Sequence, residues 1–264
     1  MKLKRPEHLP NRLPMSSGSR FESGKRIVGH RGGRGEDWPA ENTLAAFEEA
    51  RARGAKAVEF DVRLAGDGRV VVFHDADLAR MTSGRDLRRV YDLTTFDLSR
   101  IELVKPGQIP ELAEVLAWAR EQDMSLNIEL KQDVPSRRAL AKEVARAVAS
   151  SRVDFVISSF DPAIVAMMRA LLPTERVAQL TSAQARNSRW LWRACHSALM
   201  FAVHLERVQT DPDIIRTLKA RGLRIGAWTV NNPQEAADLF NLGVDYIITD
   251  CCDEILATLT VSNT

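Results

Sequence analysis

A chain of 264 residues, 45% hydrophobic and 27% charged, can bury a sizeable core and has the composition of an ordinary globular protein, which excludes wholesale disorder. Lys and Arg number 37 against 35 Asp and Glu, a net charge of +2, so no global field draws in nucleic acid or a membrane, and an anionic partner has to be held locally. No run approaches the roughly 18 to 20 apolar residues of a membrane span, so stable membrane insertion is not expected.

In chain order, residues 1–24 read as a flexible N-terminal tail: they are basic, carry Pro6, Pro10 and Pro14, and lack the apolar stretch of a signal peptide. Residues 25–264 are expected to form a single α/β domain. Short β-branched runs at 27–30, 57–63, 126–130, 154–158, 177–180, 199–203, 224–229 and 245–249 alternate with helix-periodic segments at 42–53, 111–122, 135–150, 162–171, 212–221 and 233–242. Asp161-Pro162, Asp211-Pro212 and Asn232-Pro233 each place a cap residue before a proline, a helix-start signal. Eight βα units in this length fit a (β/α)8 TIM barrel. The alternative, an open doubly wound sheet, lacks its glycine-rich nucleotide turn, because Gly29-His30-Arg31-Gly32-Gly33 has the wrong spacing.

After the second strand, Asp67-Gly68 signals a hairpin. With those two residues as the loop, Gly66 faces Arg69, Leu64 faces Val71, Val62 faces Phe73 and Asp61 faces His74. That register puts Glu59, Asp61 and His74 on one face. Residues 76–110 then break the βα rhythm and read as an insertion capping the barrel mouth, packed through Val90, Tyr91, Leu93, Phe96, Leu98 and Ile101.

The strand ends carry the chemistry, because in a barrel their C-terminal ends share one mouth. Inward carboxylates at Glu59, Asp61 and Glu129 are costly unless paired, protonated or bound to a cation, and all-oxygen donors suit Mg²⁺ or Ca²⁺. For any one acid, a salt bridge to Arg31, Arg63 or Lys131 is the simpler account; three together favour a metal. His30 and His74, each at a strand end beside these acids, suit general acid/base work. Arg31 and Lys131 are fixed cations suited to phosphate oxygens. His196 and His204 are read as structural, and Trp190 and Trp192 as core. Cys195, Cys251 and Cys252 include a vicinal pair that does not easily close a disulfide, pointing to a reducing cytoplasm.

The chain resembles the glycerophosphodiester phosphodiesterase family. The resemblance rests on His30-Arg31-Gly32, Glu41-Asn42-Thr43-Leu44-Ala45-Ala46-Phe47, Glu59-Phe60-Asp61-Val62, Phe73-His74-Asp75, Asn127-Ile128-Glu129-Leu130-Lys131, Ser158-Ser159-Phe160, Trp228-Thr229-Val230-Asn231 and Ile248-Thr249-Asp250. It implies a TIM barrel with a small insertion after the second histidine. It further implies His30 and His74 as the acid/base pair, Glu59, Asp61 and Glu129 as ligands of one divalent cation, Mg²⁺ or Ca²⁺, Arg31 and Lys131 on phosphate, and Trp228 as an apolar wall beside the substrate. One departure is an extra alanine in Pro39-Ala40-Glu41-Asn42-Thr43, where the family reads Pro-Glu-Asn-Thr. The expected reaction is metal-dependent hydrolysis of a small glycerophosphodiester to glycerol 3-phosphate and an alcohol in the cytoplasm. A lysophospholipase D or sphingomyelinase D-type activity and a non-catalytic phosphodiester-binding barrel are the alternatives.

Overall fold

The computed structural model describes residues 26–182, 202–206 and 210–261. Its strands are β1 (Arg26–His30), β2 (Ala57–Leu64), β3 (Val70–Val72), β4 (Ser125–Leu130), β5 (Phe155–Ser159), β6 (Val177–Leu180), β7 (Ala202–Glu206), β8 (Arg224–Trp228) and β9 (Tyr246–Thr249). Its helices are α1 (Leu44–Ala52), α2 (Thr95–Ser99), α3 (Leu112–Glu121), α4 (Arg137–Ala149), α5 (Pro162–Leu171), α6 (Pro212–Lys219), α7 (Pro233–Asn241) and α8 (Cys252–Val261). Strands β1, β2 and β4 to β9 are parallel, and β1 pairs with both β2 and β9, which closes the barrel.

Three starts are made as expected from sequence: Asp161, Asp211 and Asn232 accept from backbone N–H groups in the first turns of α5, α6 and α7 and precede prolines. Helix α1, expected from residue 42, starts at Leu44, where Thr43 is the cap and Asn42 takes a left-handed φ of 60°. The strand expected at 199–203 is β7, Ala202–Glu206 in its described part. Residues 1–25, which include the expected tail, lie outside the described residues, as do Trp190, Trp192, Cys195 and His196. Helix α8 is not among the helices named from sequence, although Cys252, Ile255, Leu256 and Leu259 recur at helical spacing and pack on the core.

Two apolar layers hold the barrel. Between strands and helices, Phe47, Phe60, Leu112, Leu126, Ile128, Leu140 and Ile157 are fully buried. Inside the barrel, Val28, Ala57, Val156, Ala178, Ala202, Tyr246 and Ile248 close the floor. The polar layer above that floor is where the chemistry lies.

The hairpin register differs from the expectation by one residue. Val62 faces Val72, Arg63 faces Val71 and Leu64 faces Val70, with Ala65 N donating to Arg69 O at 2.9 Å and Gly68 N to Ala65 O at 3.0 Å. The loop therefore has three residues, 66–68, with Gly68 in the left-handed region at φ +80°. The cause is the insertion: Gly66 N donates to Leu93 O at 2.7 Å, and the Asp67 carboxylate accepts from Thr95 N and Oγ1, both at 2.9 Å. These bonds take Gly66 out of the ladder. Phe73, not His74, then lies opposite Asp61, donating its N–H to Asp61 O at 2.9 Å.

The insertion has its own core of Leu78, Met81, Val90, Leu93, Leu98, Leu103 and Ile109, set on Ala40, Ala65, Val71 and Phe73. Of the residues expected to pack, Val90, Leu93 and Leu98 do and Ile101 does partly, while Tyr91 and Phe96 stay 46% and 67% exposed. Tyr91 and Phe96 are corrected to surface residues; Phe96 instead lies under the Arg100 guanidinium at 5.3 Å.

Candidate active site

Parallel pairing dictates which side chains meet at the mouth. Glu59 is level with His30 on one side and Asn127 on the other, and Asp61 is level with Glu129. Carboxylate oxygens of Glu59, Asp61 and Glu129 all lie within 4.8 Å of one another, and all three residues are buried. Three like charges so close repel strongly in a poorly solvated site. Burial, followed by repulsion from Asp61 and Glu129, pushes the Glu59 carboxyl well above its ordinary value. Burial raises Glu129 likewise, against the opposing pull of Lys131. Asp61 alone is held low: burial would raise it, but the charges of Lys131 and Arg31 prevail.

Lys131 Nζ lies 2.8 Å from Glu129 Oε1 and 3.2 Å from Asp61 Oδ1. Arg31 Nε lies 3.3 Å from Asp61 Oδ2, and its Nη1 donates to Glu41 Oε1 at 2.7 Å. Arg63 is not a partner of the cluster, since it clamps Asp133 and donates to His74 O at 2.8 Å. The salt-bridge and metal-ligand accounts thus coexist. Two cations flank three carboxylates, leaving Glu59 with one backbone donor, Arg31 N at 3.0 Å, as its hydrogen bond. An all-oxygen, buried, net-negative triad fits a hard divalent cation.

The chain reverses sharply after β1 to present these groups. Arg31 takes a left-handed φ of 54° and Gly32 one of +90°; a Cβ on Gly32 would lie 2.8 Å from Ala46 O, so glycine is required there. The extra alanine in the following loop is absorbed: Ala40 is buried and donates to Pro106 O of the insertion at 2.9 Å. Asn42 then reaches Asp61, donating from Nδ2 to Oδ2 at 2.9 Å and accepting from Asp61 N at 3.2 Å.

Both histidines are oriented by carboxylates. His30 Nδ1 is 2.7 Å from Asp250 Oδ1 and His74 Nδ1 is 2.7 Å from Asp75 Oδ1. Facing a carboxylate, Nδ1 carries a hydrogen, which leaves Nε2 of each ring as the atom available for proton transfer. His30 Nε2 stands 3.8 Å from Glu59 Oε2. Burial, then the Arg31 charge, lowers the His30 value, against the Asp250 hydrogen bond, so this ring is biased toward its neutral form. His74 lies at the site despite the changed register, two residues beyond the end of β3 at Val72. It borders a cavity of about 290 Å³ with Arg63, Glu129, Lys131, Asp133 and Phe160. Trp228, at the end of β8, meets Phe160 edge-on at 5.3 Å.

His204 is away from this cluster, buried inside the barrel with Nε2 at 2.5 Å from the Tyr246 hydroxyl, in line with a structural role. Sequence reasoning assigned no role to Asp250, Asp75, Glu41, Asn42 or Phe160. All five lie in motifs that carried the family resemblance, but their partners are distant in sequence or set by loop geometry.

The chain matches the model of the glycerophosphoryl diester phosphodiesterase family over residues 30–254. It is 30% identical over 236 residues to a glycerophosphodiester phosphodiesterase of Bacillus altitudinis, covering 86% of this chain and 95% of the relative. It is 27% identical over 233 residues to one from Caldanaerobacter subterraneus subsp. tengcongensis, covering 85% and 93%. An Oleispira antarctica phosphodiesterase solved with the product sn-glycerol-3-phosphate superposes with a TM-score of 0.79 at 27% identity, covering 89% of this chain and 96% of that one.

Proposed function

The chain belongs to the glycerophosphoryl diester phosphodiesterase family and is an enzyme of that class, and we propose that it cleaves a small glycerophosphodiester to glycerol 3-phosphate and an alcohol by two-histidine acid/base catalysis beside a bound divalent cation. One observation carries the reading: three buried carboxylates and two carboxylate-oriented histidines converge on the same mouth.

Glu59, Asp61 and Glu129 would hold the cation, Mg²⁺ or Ca²⁺. When bound, it supplies Lewis-acid stabilisation of charge on a phosphoryl oxygen. Arg31 and Lys131 orient the phosphate and share its negative charge. Neutral His30 takes a proton at Nε2 from the nucleophile as its oxygen bonds to phosphorus; the nucleophile is water, or the substrate's own glycerol hydroxyl, which gives a cyclic phosphate that water then opens to glycerol 3-phosphate. As the bond from phosphorus to the departing oxygen breaks, protonated His74 gives its Nε2 proton to that oxygen. Phe160 and Trp228 form an apolar wall beside the carbon skeleton. The product complex of the Oleispira antarctica relative supports glycerol 3-phosphate as the retained half.

The cavity beside His74 sets the charged groups of Arg63, Asp75, Glu129, Lys131 and Asp133 against Ala76, Leu130 and Phe160, and its volume of about 290 Å³ supports a small head group over an acyl chain. Among the described residues no helix is long and apolar enough to cross a membrane, and Cys251 and Cys252 are free thiols. The proposed role extends to turnover of lipid-derived diesters in the cytoplasm, with residues 25–264 as one catalytic unit. Glycerophosphocholine and lysophosphatidylcholine, each incubated with added Mg²⁺ or Ca²⁺, test the reading. Glycerol 3-phosphate from the first is expected; turnover of the second alone would overturn it in favour of a lysophospholipase D.

A further inference from the structure

A chain of charged contacts crosses the mouth and joins the two histidines. His30 meets Asp250, and Asp250 accepts from Arg34 Nε at 2.8 Å and Nη2 at 3.0 Å. Arg34 Nη1 lies 3.7 Å from Glu41 Oε2. Glu41 Oε1 accepts from Arg31 Nη1 at 2.7 Å and from Arg80 Nη2 at 2.6 Å. Arg80 Nε donates to Asp75 Oδ2 at 2.7 Å, and Asp75 Oδ1 meets His74. Of these residues, Arg80 alone comes from the insertion proper.

The two ends of the chain are supported unequally. Asp250 also accepts from Asn231 Nδ2 at 2.9 Å, and its own N–H donates to Asn231 Oδ1 at 2.9 Å. The Asp75 carboxylate has His74 and Arg80 as its hydrogen-bond partners. Arg80 is fixed at its base, in the short 3₁₀ turn Arg80–Thr82, between Leu78 and Met81, both buried in the insertion core. A planar guanidinium spans two carboxylates through separate edges, which a lysine's single ammonium does not reproduce.

We propose that Arg80 is a positioning residue that, by bridging Glu41 and Asp75, holds His74 in its working orientation and makes turnover depend on how the insertion is seated. The proposal rests on the phosphodiesterase reading of the site. Glu41 reports the strength of the bridge: burial pushes its carboxyl up, and the Arg80 and Arg31 contacts overcome this and hold it below its ordinary value. The Arg80 side chain is 48% exposed but that of Glu41 is 7% exposed, so losing Arg80 takes one of two cations from a buried carboxylate and lowers Tm as well as kcat; kcat and the His74 signal, not Tm, separate positioning from a merely structural role.

Kinetics on glycerophosphocholine and imidazole NMR, on the full chain, test this. Arg80→Ala lowers kcat about 10- to 100-fold, the usual cost of losing a group that orients a site residue, with KM within about 3-fold. Arg80→Lys recovers only part of the loss, and millimolar guanidinium restores Arg80→Ala, which a merely structural role would not allow. Arg85→Ala, an exposed insertion arginine, leaves kcat unchanged. In the same variants, the hydrogen-bonded Nδ1–H signal of His74 is lost in Arg80→Ala and that of His30 is kept. An unchanged His74 signal overturns the proposal, as does an unchanged kcat. The NMR readout needs no turnover, so a wild type that releases no glycerol 3-phosphate defeats the phosphodiesterase reading while the His74 signal still judges the positioning role.

Discussion

His30 Nδ1 lies 2.7 Å from Asp250 Oδ1, across 220 residues of sequence, because β1 and β9 are neighbours in the closed barrel. Asp250 is in turn gripped by Arg34 and Asn231, and those bonds with that of His30 hold its carboxyl well below the ordinary value despite burial. A charged acceptor so placed fixes the ring and its tautomer. Asp250→Asn presents an amide that lets the ring rotate or switch tautomer; kcat for glycerol 3-phosphate release should fall about 10²-fold or more, with KM within a few-fold. Steady-state kinetics with circular dichroism as the folding control would check this, and an unaltered kcat would refute the orienting role.

The two histidines should separate by leaving group. If His74 is the acid, His74→Ala loses about 10²- to 10⁴-fold on glycerophosphocholine, whose alkoxide needs a proton, and much less on a p-nitrophenyl diester, whose phenolate does not. His30→Ala should lose similarly on both. Equal losses for His74→Ala on the two substrates would exchange or abolish the assigned roles.

Much of this site was legible because strand ends announce themselves. His30 and Glu129 stand at or next to the ends of β1 and β4, Glu59 and Asp61 alternate along β2, and parallel pairing makes their meeting nearly automatic. The His74 placement was reached by a register one residue out, since nothing in Asp67-Gly68 reveals that Leu93 and Thr95 bind the loop and draw Gly66 from the ladder. Asp250 and Arg80 illustrate a second limit. Asp250 lies in a family motif and Arg80 in none of those named, yet for both only tertiary contact shows what the carboxylate or guanidinium orients.

Glu59 pairs burial with repulsion from two acids, so in the absence of a cation its charge weakens the fold. Glu59→Gln keeps an oxygen for Arg31 N and removes that charge. After chelation this variant should be more stable by about 1 kcal/mol, a rise in Tm of roughly 2–4 °C, while activity with added metal falls about 10²-fold. Scanning calorimetry in chelator decides it; a lowered Tm would contradict the electrostatic account of the triad.

His204 gives the barrel a pH-dependent element away from the acids. Burial holds its value at about 3 against an ordinary 6.5. The folded state therefore binds fewer protons than the unfolded one between those values, so the contribution is complete above about 6.5 and is lost as pH falls toward 3. The slope is about 1.4 kcal/mol per pH unit. In the double variant His204→Phe/Tyr246→Phe, which removes both members of the hydrogen bond, urea unfolding at pH 7 and pH 5 should show a shallower fall by about one proton. An identical slope would place the titration elsewhere.

The most direct measurement is glycerol 3-phosphate release from glycerophosphocholine, glycerophosphoethanolamine and glycerophosphoglycerol by the chelated full chain with Mg²⁺, Ca²⁺ or Mn²⁺ added back. The site described here should yield product from at least one diester only when a cation is present, and lose it at least about 10²-fold in folded His30→Ala and His74→Ala. Wild-type inactivity across the whole panel, or undiminished release by either histidine variant, would contradict it.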